Sequence, residues 1–158
     1  MFPIENATLE HALLIPCLGQ RLRERLEGKP CRVATTLRVR VATSRFVYPD
    51  LVVVCGKPEF ADGQTDTLIN PKVIVEVLSP STEDYDYGSK AKLYRDLPSL
   101  DAYVLVSQTV RCVEIYHRAP QHRWILSTHD TPGGSFPIEP LQIEIPIEEL
   151  YAGIVPAR

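Results

Sequence analysis

Val73-Ile74-Val75-Glu76-Val77-Leu78 is a short apolar run interrupted by a single carboxylate. A run so nearly continuous in Val, Ile and Leu is the pattern of a central strand covered on both faces. An ionised carboxylate buried there costs several kcal/mol unless something compensates it. A second acid-bearing run precedes it, Tyr48-Pro49-Asp50-Leu51-Val52-Val53-Val54. Two acids, each attached to its own apolar strand, point to a shared compensator, and a metal ion is the simplest one. A third piece follows, Ser89-Lys90-Ala91-Lys92-Leu93-Tyr94, which reads as helix. Lys90 and Tyr94 are four positions apart and share a helical face. Lys92 points about half a turn away, so only one lysine can easily face the strands, and spacing leaves open which.

Upstream of the Asp50 strand, residues 31–41 alternate strictly. Val33, Thr35, Leu37, Val39 and Val41 point one way; Arg32, Ala34, Thr36, Arg38 and Arg40 point the other. The pattern predicts one strand, turning near Thr43-Ser44 into an antiparallel hairpin with the Asp50 strand. Before it, Asn6 or Thr8 can cap a helix running to about Glu27, with Gly28 as its stop. Leu14, Ile15, Leu18, Leu22 and Leu26 form its apolar stripe. Pro16 lies inside that stripe and predicts a kink or a late helix start. Arg21 and Arg25 read as ordinary helix-surface charges. Residues 56–71, rich in Gly, Asp, Thr and Pro, read as a surface loop.

Downstream, Pro80-Ser81-Thr82 closes the Glu76 strand, and Asp84 or Asp86 leads into a helix ending before Pro98. Residues 102–106 read as another buried strand, and 110–116 with 124–127 as a meander. Gly133-Gly134 is a loop, and residues 141–145 and 147–151 close the chain. The order α-β-β-β-α-β-β-β predicts an α/β (α+β) fold, a mixed sheet with helices packed on it.

The 158 residues, without internal repeat or linker, fit a single domain over 1–158. A net charge of −3 gives no global basic field, so nucleic-acid contact would need a local patch. No apolar run is long enough to span a membrane, and the start lacks a signal-peptide pattern, so the expected location is cytoplasmic. The four cysteines contain no CxxC pair and are expected as separate reduced thiols. Scattered histidines argue against a His-built metal site.

Hard divalent cations such as Mg²⁺ take oxygen ligands, commonly one or two protein carboxylates completed by phosphate and water. Asp50 and Glu76 match that inventory, and a nearby lysine could orient an attacking water or neutralise charge developing on phosphate. Each residue also has a plainer explanation. Asp after Pro is often a turn or capping residue. Glu76 could be a buried ion pair with an arginine or with Lys90. Arg38 and Arg40 are most simply a solvated strand face, with phosphate contact as their functional reading. A glycoside hydrolase built on the same two acids would need an aromatic sugar cleft, and the single Trp124 lies far along the chain.

The sequence Tyr48-Pro49-Asp50, then Val75-Glu76-Val77-Leu78-Ser79-Pro80-Ser81-Thr82, Tyr85-Asp86, Lys90, Tyr94, Leu97-Pro98-Ser99-Leu100 and Tyr103-Val104-Leu105-Val106 resembles the Uma2 family of restriction-endonuclease-like proteins. That family is a branch of the PD-(D/E)XK nuclease superfamily. The resemblance extends from about His11 to Tyr151. It implies a restriction-endonuclease-like fold and a Mg²⁺- or Mn²⁺-dependent endonuclease acting on DNA, with a homodimer as a further partner class. By the same resemblance Asp50 and Glu76 would be the metal-holding acids. Leu78 stands where the superfamily usually has its lysine. Lys90 on the next helix would replace it, with Lys92 as the fallback and Tyr94 as a positioning residue. Relative to that family the chain reads as lacking an N-terminal helix and hairpin. The competing expectation is a nuclease-fold module that binds DNA or assembles without cutting.

Overall fold

A computed structural model describes residues 8–42, 44–78 and 90–156. Thr8 caps the first helix, α1 (Leu9–Arg25), its Oγ1 accepting from the His11 N–H at 3.1 Å. Leu14, Leu18 and Leu22 form the buried stripe, while Leu9 and Leu13 face outward. Pro16 lies inside the helix without delaying its start, so a late start is corrected. Gly28, with φ +81°, takes the left-handed conformation that ends the connection. Arg25 is not an idle surface charge. Its guanidinium donates to the Glu144 carbonyl at 2.7 Å and to Glu149 Oε2 at 2.6 Å, tying α1 to the C-terminal elements.

The alternating stretch 31–41 is two strands rather than one. Thr36 adopts φ +54°, a left-handed turn that breaks the extended run. It separates β1 (Cys31–Thr35) from β2 (Arg38–Ala42). β1 pairs antiparallel with β4 (Leu51–Cys55), as expected for this half of the hairpin. β2 instead joins a small three-stranded sheet between β3 (Arg45–Val47) and β5 (Thr67–Leu68). The expectation of a surface loop over 56–71 is thereby corrected at Thr67 and Leu68. Thr67 and Leu68 are fully buried and pair in parallel with Arg38 and Val39.

The main sheet has six strands in the order β1-β4-β6-β7-β8-β9. β6 (Val73–Leu78) is central and buried at every position, as its composition predicts. It runs antiparallel to β4 and parallel to β7 (Ala102–Ser107). The described part of the connecting helix is α2 (Ala91–Arg95). The predicted turn at 80–82 and the helix start at Asp84 or Asp86 lie outside the described residues. β8 (Val113–Ala119) and β9 (Arg123–His129) complete the meander. β10 (Ser135–Ile138) and β11 (Ile143–Pro146) form a separate hairpin before α3 (Ile147–Tyr151). This is a mixed sheet flanked by helices.

The sheet divides the interior in two. On one face α1, the β10–β11 hairpin and α3 cover Val53, Val75 and Val104. On the other, β2, β3 and α2 cover Val52, Ile74, Leu78, Tyr103 and Leu105. Each fully buried Leu or Val contributes about 1.5–3 kcal/mol relative to exposure. Tyr151 anchors the first face. Its hydroxyl donates to the carbonyls of Ser107 and Cys112, each at 2.8 Å. Burial pushes its pKa well above the ordinary tyrosine value.

Cys31 and Cys55 are joined as a disulfide across the β1–β4 pair, which corrects the expectation of four separate thiols. The bond depends on strand register, which brings positions 24 residues apart into direct opposition. Cys17 and Cys112 remain thiols, the latter with its pKa raised by burial. Among the described residues no helix is long and apolar enough to cross a membrane.

Candidate active site

The β4–β6 ladder ends with Leu51 opposite Val75. One step further along that antiparallel register places Asp50 across from Glu76. Pro49 ends the regular strand there, and the Asp50 side chain substitutes for a strand carbonyl. Its Oδ2 accepts the Val77 N–H at 2.8 Å. This bond fixes the carboxylate against the edge of β6 without burying it fully; the side chain stays 20% exposed.

Glu76 lies deeper, at 3% exposure, on the β6 face that carries Ile74 and Leu78. α2 packs over this face. Lys90, at its N-terminal boundary, donates to Glu76 Oε1 at 2.8 Å, and the Tyr94 hydroxyl donates to the same oxygen at 2.9 Å. The four-residue spacing read from the sequence thus brings both side chains onto one carboxylate oxygen. Tyr94 is fully buried and packs edge-on against Tyr103, ring centroids 4.8 Å apart. The aromatic pair holds the hydroxyl in place. Such a charge-assisted, nearly dry ion pair is strong only because each partner is oriented by fixed neighbours.

Lys92 does not join this cluster. It is exposed on the outer side of α2. Arg38 and Arg40 do not join it through the strand pairing either. β2 pairs with β3 and β5, so neither arginine stands across a ladder from Asp50. Arg38 instead donates to Thr67 Oγ1 at 2.8 Å and to Gln64 at 3.1 Å, with its guanidinium over the Phe46 ring. Arg40 lies opposite Phe46 in the β2–β3 hairpin.

Two contributors escaped sequence reasoning. His11 places Nε2 3.5 Å from Asp50 Oδ2. The available signal was helical spacing, since position 11 precedes Leu14, Leu18 and Leu22 on the core-facing stripe, where a polar side chain needs a reason. Gln108 is buried, and its Nε2 donates to the Leu78 carbonyl at 2.7 Å. Its Oε1 accepts from the capping Thr8 hydroxyl. This bridge joins the end of β6 to the start of α1, close to Asp50. A lone glutamine after a strand carries no sequence signal for such a role.

The donor chemistry can be tested against a metal. Among the described residues no group of three or more His, Cys, Asp or Glu side chains could hold one. That is a poor set for zinc, which takes three or four protein ligands. Two carboxylates from adjacent strands fit a hard cation that keeps water and takes phosphate oxygen for the rest of its shell.

The family model described as "Uma2: Putative restriction endonuclease" matches residues 3–148. Two curated proteins of Synechocystis sp. (strain ATCC 27184 / PCC 6803 / Kazusa) are similar. "Uncharacterized protein sll1609" is 30% identical over 129 residues, covering 80% of this chain and 73% of its own. "Uncharacterized protein slr1290" is 26% identical over 156 residues, covering 98% of this chain and 80% of its own. A crystal structure from Anabaena variabilis ATCC 29413, described as "a putative nuclease belonging to DUF820", superposes with a TM-score of 0.76. That match covers 94% of this chain and 83% of the other at 15% identity, so it speaks for the fold.

Proposed function

The chain belongs to the Uma2 family, and on that premise we propose that it is a Mg²⁺- or Mn²⁺-dependent endonuclease hydrolysing phosphodiester bonds in DNA. The observation that carries the proposal is the convergence of Lys90 and Tyr94 on Glu76 beside Asp50. In it Asp50 and Glu76 would hold the cation. A bound cation of this class polarises phosphate and lowers the pKa of water. Asp50 keeps its orientation through the Val77 N–H. Tyr94 fixes the Glu76 carboxylate by a hydrogen bond from an uncharged donor, and Lys90 brings a positive charge to the same oxygen. Lys90 is the group suited to offset negative charge as it builds on the phosphate oxygens. Tyr94 is a positioning residue, and Lys92, Arg38 and Arg40 would make contacts outside the reacting centre.

A second reading has its own observation. The Lys90–Glu76 pair is complete as an ion pair without any cation, which also suits a nuclease-fold module that binds DNA and no longer cuts.

Supercoiled plasmid separates the two. The endonuclease reading expects conversion to nicked circles with Mg²⁺ or Mn²⁺ and none with chelator. Retarded but intact plasmid under every condition would favour the binding module.

A further inference from the structure

α2 presents a second set of cations on the side away from Glu76. Lys92, Arg95, Arg118 and Arg123 line an open groove of about 570 Å³ between α2 and the β8–β9 hairpin, with Trp124 in its wall. Among the described residues the only acid in the lining is Asp96. A groove this basic runs against a chain whose net charge is −3.

Its parts have separable roles. Arg118 is structural: its guanidinium donates to the carbonyls of Leu97 and Leu100, each at 2.8 Å, and lies 3.8 Å from Asp101. It also covers one face of the Trp124 ring, 4.7 Å from the centroid. Arg95 lies over the Tyr116 ring at 5.7 Å. Lys92 and Arg123 are exposed, and among the described residues no carboxylate forms an ion pair with Lys92, Arg95 or Arg123. Cations gathered at this range repel one another, since the screening length is about 10 Å at 0.1 M salt. A polyanion relieves that repulsion. The groove also lies near the site. Lys90 and Arg95 sit on one helix, separated by about 7.5 Å of axial rise, roughly two nucleotide steps of one DNA strand at ~3.4 Å each.

We infer that the groove between α2 and the β8–β9 hairpin binds the phosphodiester backbone of the DNA whose cleavage is proposed for the Glu76 site, through Lys92, Arg95 and Arg123. This rests on the nuclease reading for the identity of the polyanion. Backbone contacts of this kind position a duplex without reading its sequence.

Trp124 is the only tryptophan in the chain, so its emission reports on the groove alone. The full chain is titrated with a short fluorescein-labelled duplex in chelator, following anisotropy and tryptophan emission together. The expected result is a saturable change in emission that tracks the anisotropy curve. Lys92→Glu with Arg123→Glu should weaken binding about tenfold or more and lower the slope of log affinity against log salt by about two. Lys57→Glu, an exposed charge on the turn after β4, should leave both unchanged. Unchanged affinity and slope in the double variant would overturn the assignment. So would saturating anisotropy with no change in Trp124 emission. Binding is read without metal, so a chain that binds in this way but never nicks plasmid loses the nuclease reading and keeps the groove. Wild-type chain that binds no DNA at low salt loses both.

Discussion

Glu76→Gln is expected to abolish metal-dependent plasmid nicking, a loss on the order of a thousandfold or more, while the protein still folds, at a stability lowered by the lost counter-charge to Lys90. The substitution removes one negative charge and keeps the shape. Glutamine still offers an oxygen to the Tyr94 hydroxyl and the Lys90 ammonium, the two donors now on Oε1. What it lacks is the charge that would hold a hard cation. Glu76→Ala is the poorer test, because it strips Lys90 and Tyr94 of this shared acceptor in an almost dry place, and an unsatisfied buried polar group costs about 1–3 kcal/mol. Activity and thermal melting are measured on the same preparation. Nicking at the wild-type rate by a well-folded Glu76→Gln protein would remove Glu76 from the chemistry.

Lys90→Met should lose stability as well as activity. Lys90 is 14% exposed at its side chain and Glu76 4%, so their 2.8 Å contact is largely out of water. Removing one partner of such a pair takes the counter-charge from a nearly dry carboxylate, at a cost of about 3–5 kcal/mol. Urea unfolding measures this as a shift in midpoint at constant slope. Adding Glu76→Gln to Lys90→Met removes that carboxylate's charge and should restore most of the lost stability, while nicking stays absent. A Lys90→Met protein that unfolds at the wild-type urea concentration would mean that the pair carries no energetic weight.

The centre of the fold was readable because its signals are local. The apolar run at 73–78 announces a strand buried on both faces, and Lys90 and Tyr94 declare a common face by spacing alone. What failed to show in the sequence depends on single backbone angles or on register. Alternation continues unbroken through Thr36, yet its φ of +54° sends β1 and β2 into different sheets. Thr67 and Leu68 look like part of a polar loop until β2 supplies an edge for them. The Cys31–Cys55 bond needs the β1–β4 register. The choice between Lys90 and Lys92 was open by spacing and is a matter of which side of α2 packs on β6. Arg38 and Arg40 were placed by an assumed hairpin with the Asp50 strand that β2 does not make.

The proposed site stands on Asp50 and Glu76 acting as one cation-holding pair. Calorimetric titration with Mn²⁺ measures this without reference to cleavage, in the wild-type protein, in Asp50→Asn, in Glu76→Gln and in the double variant. Shared holding predicts one binding event in the wild type, its loss in either single variant, and no further change in the double. Mn²⁺ binding of wild-type strength in both single variants would contradict it.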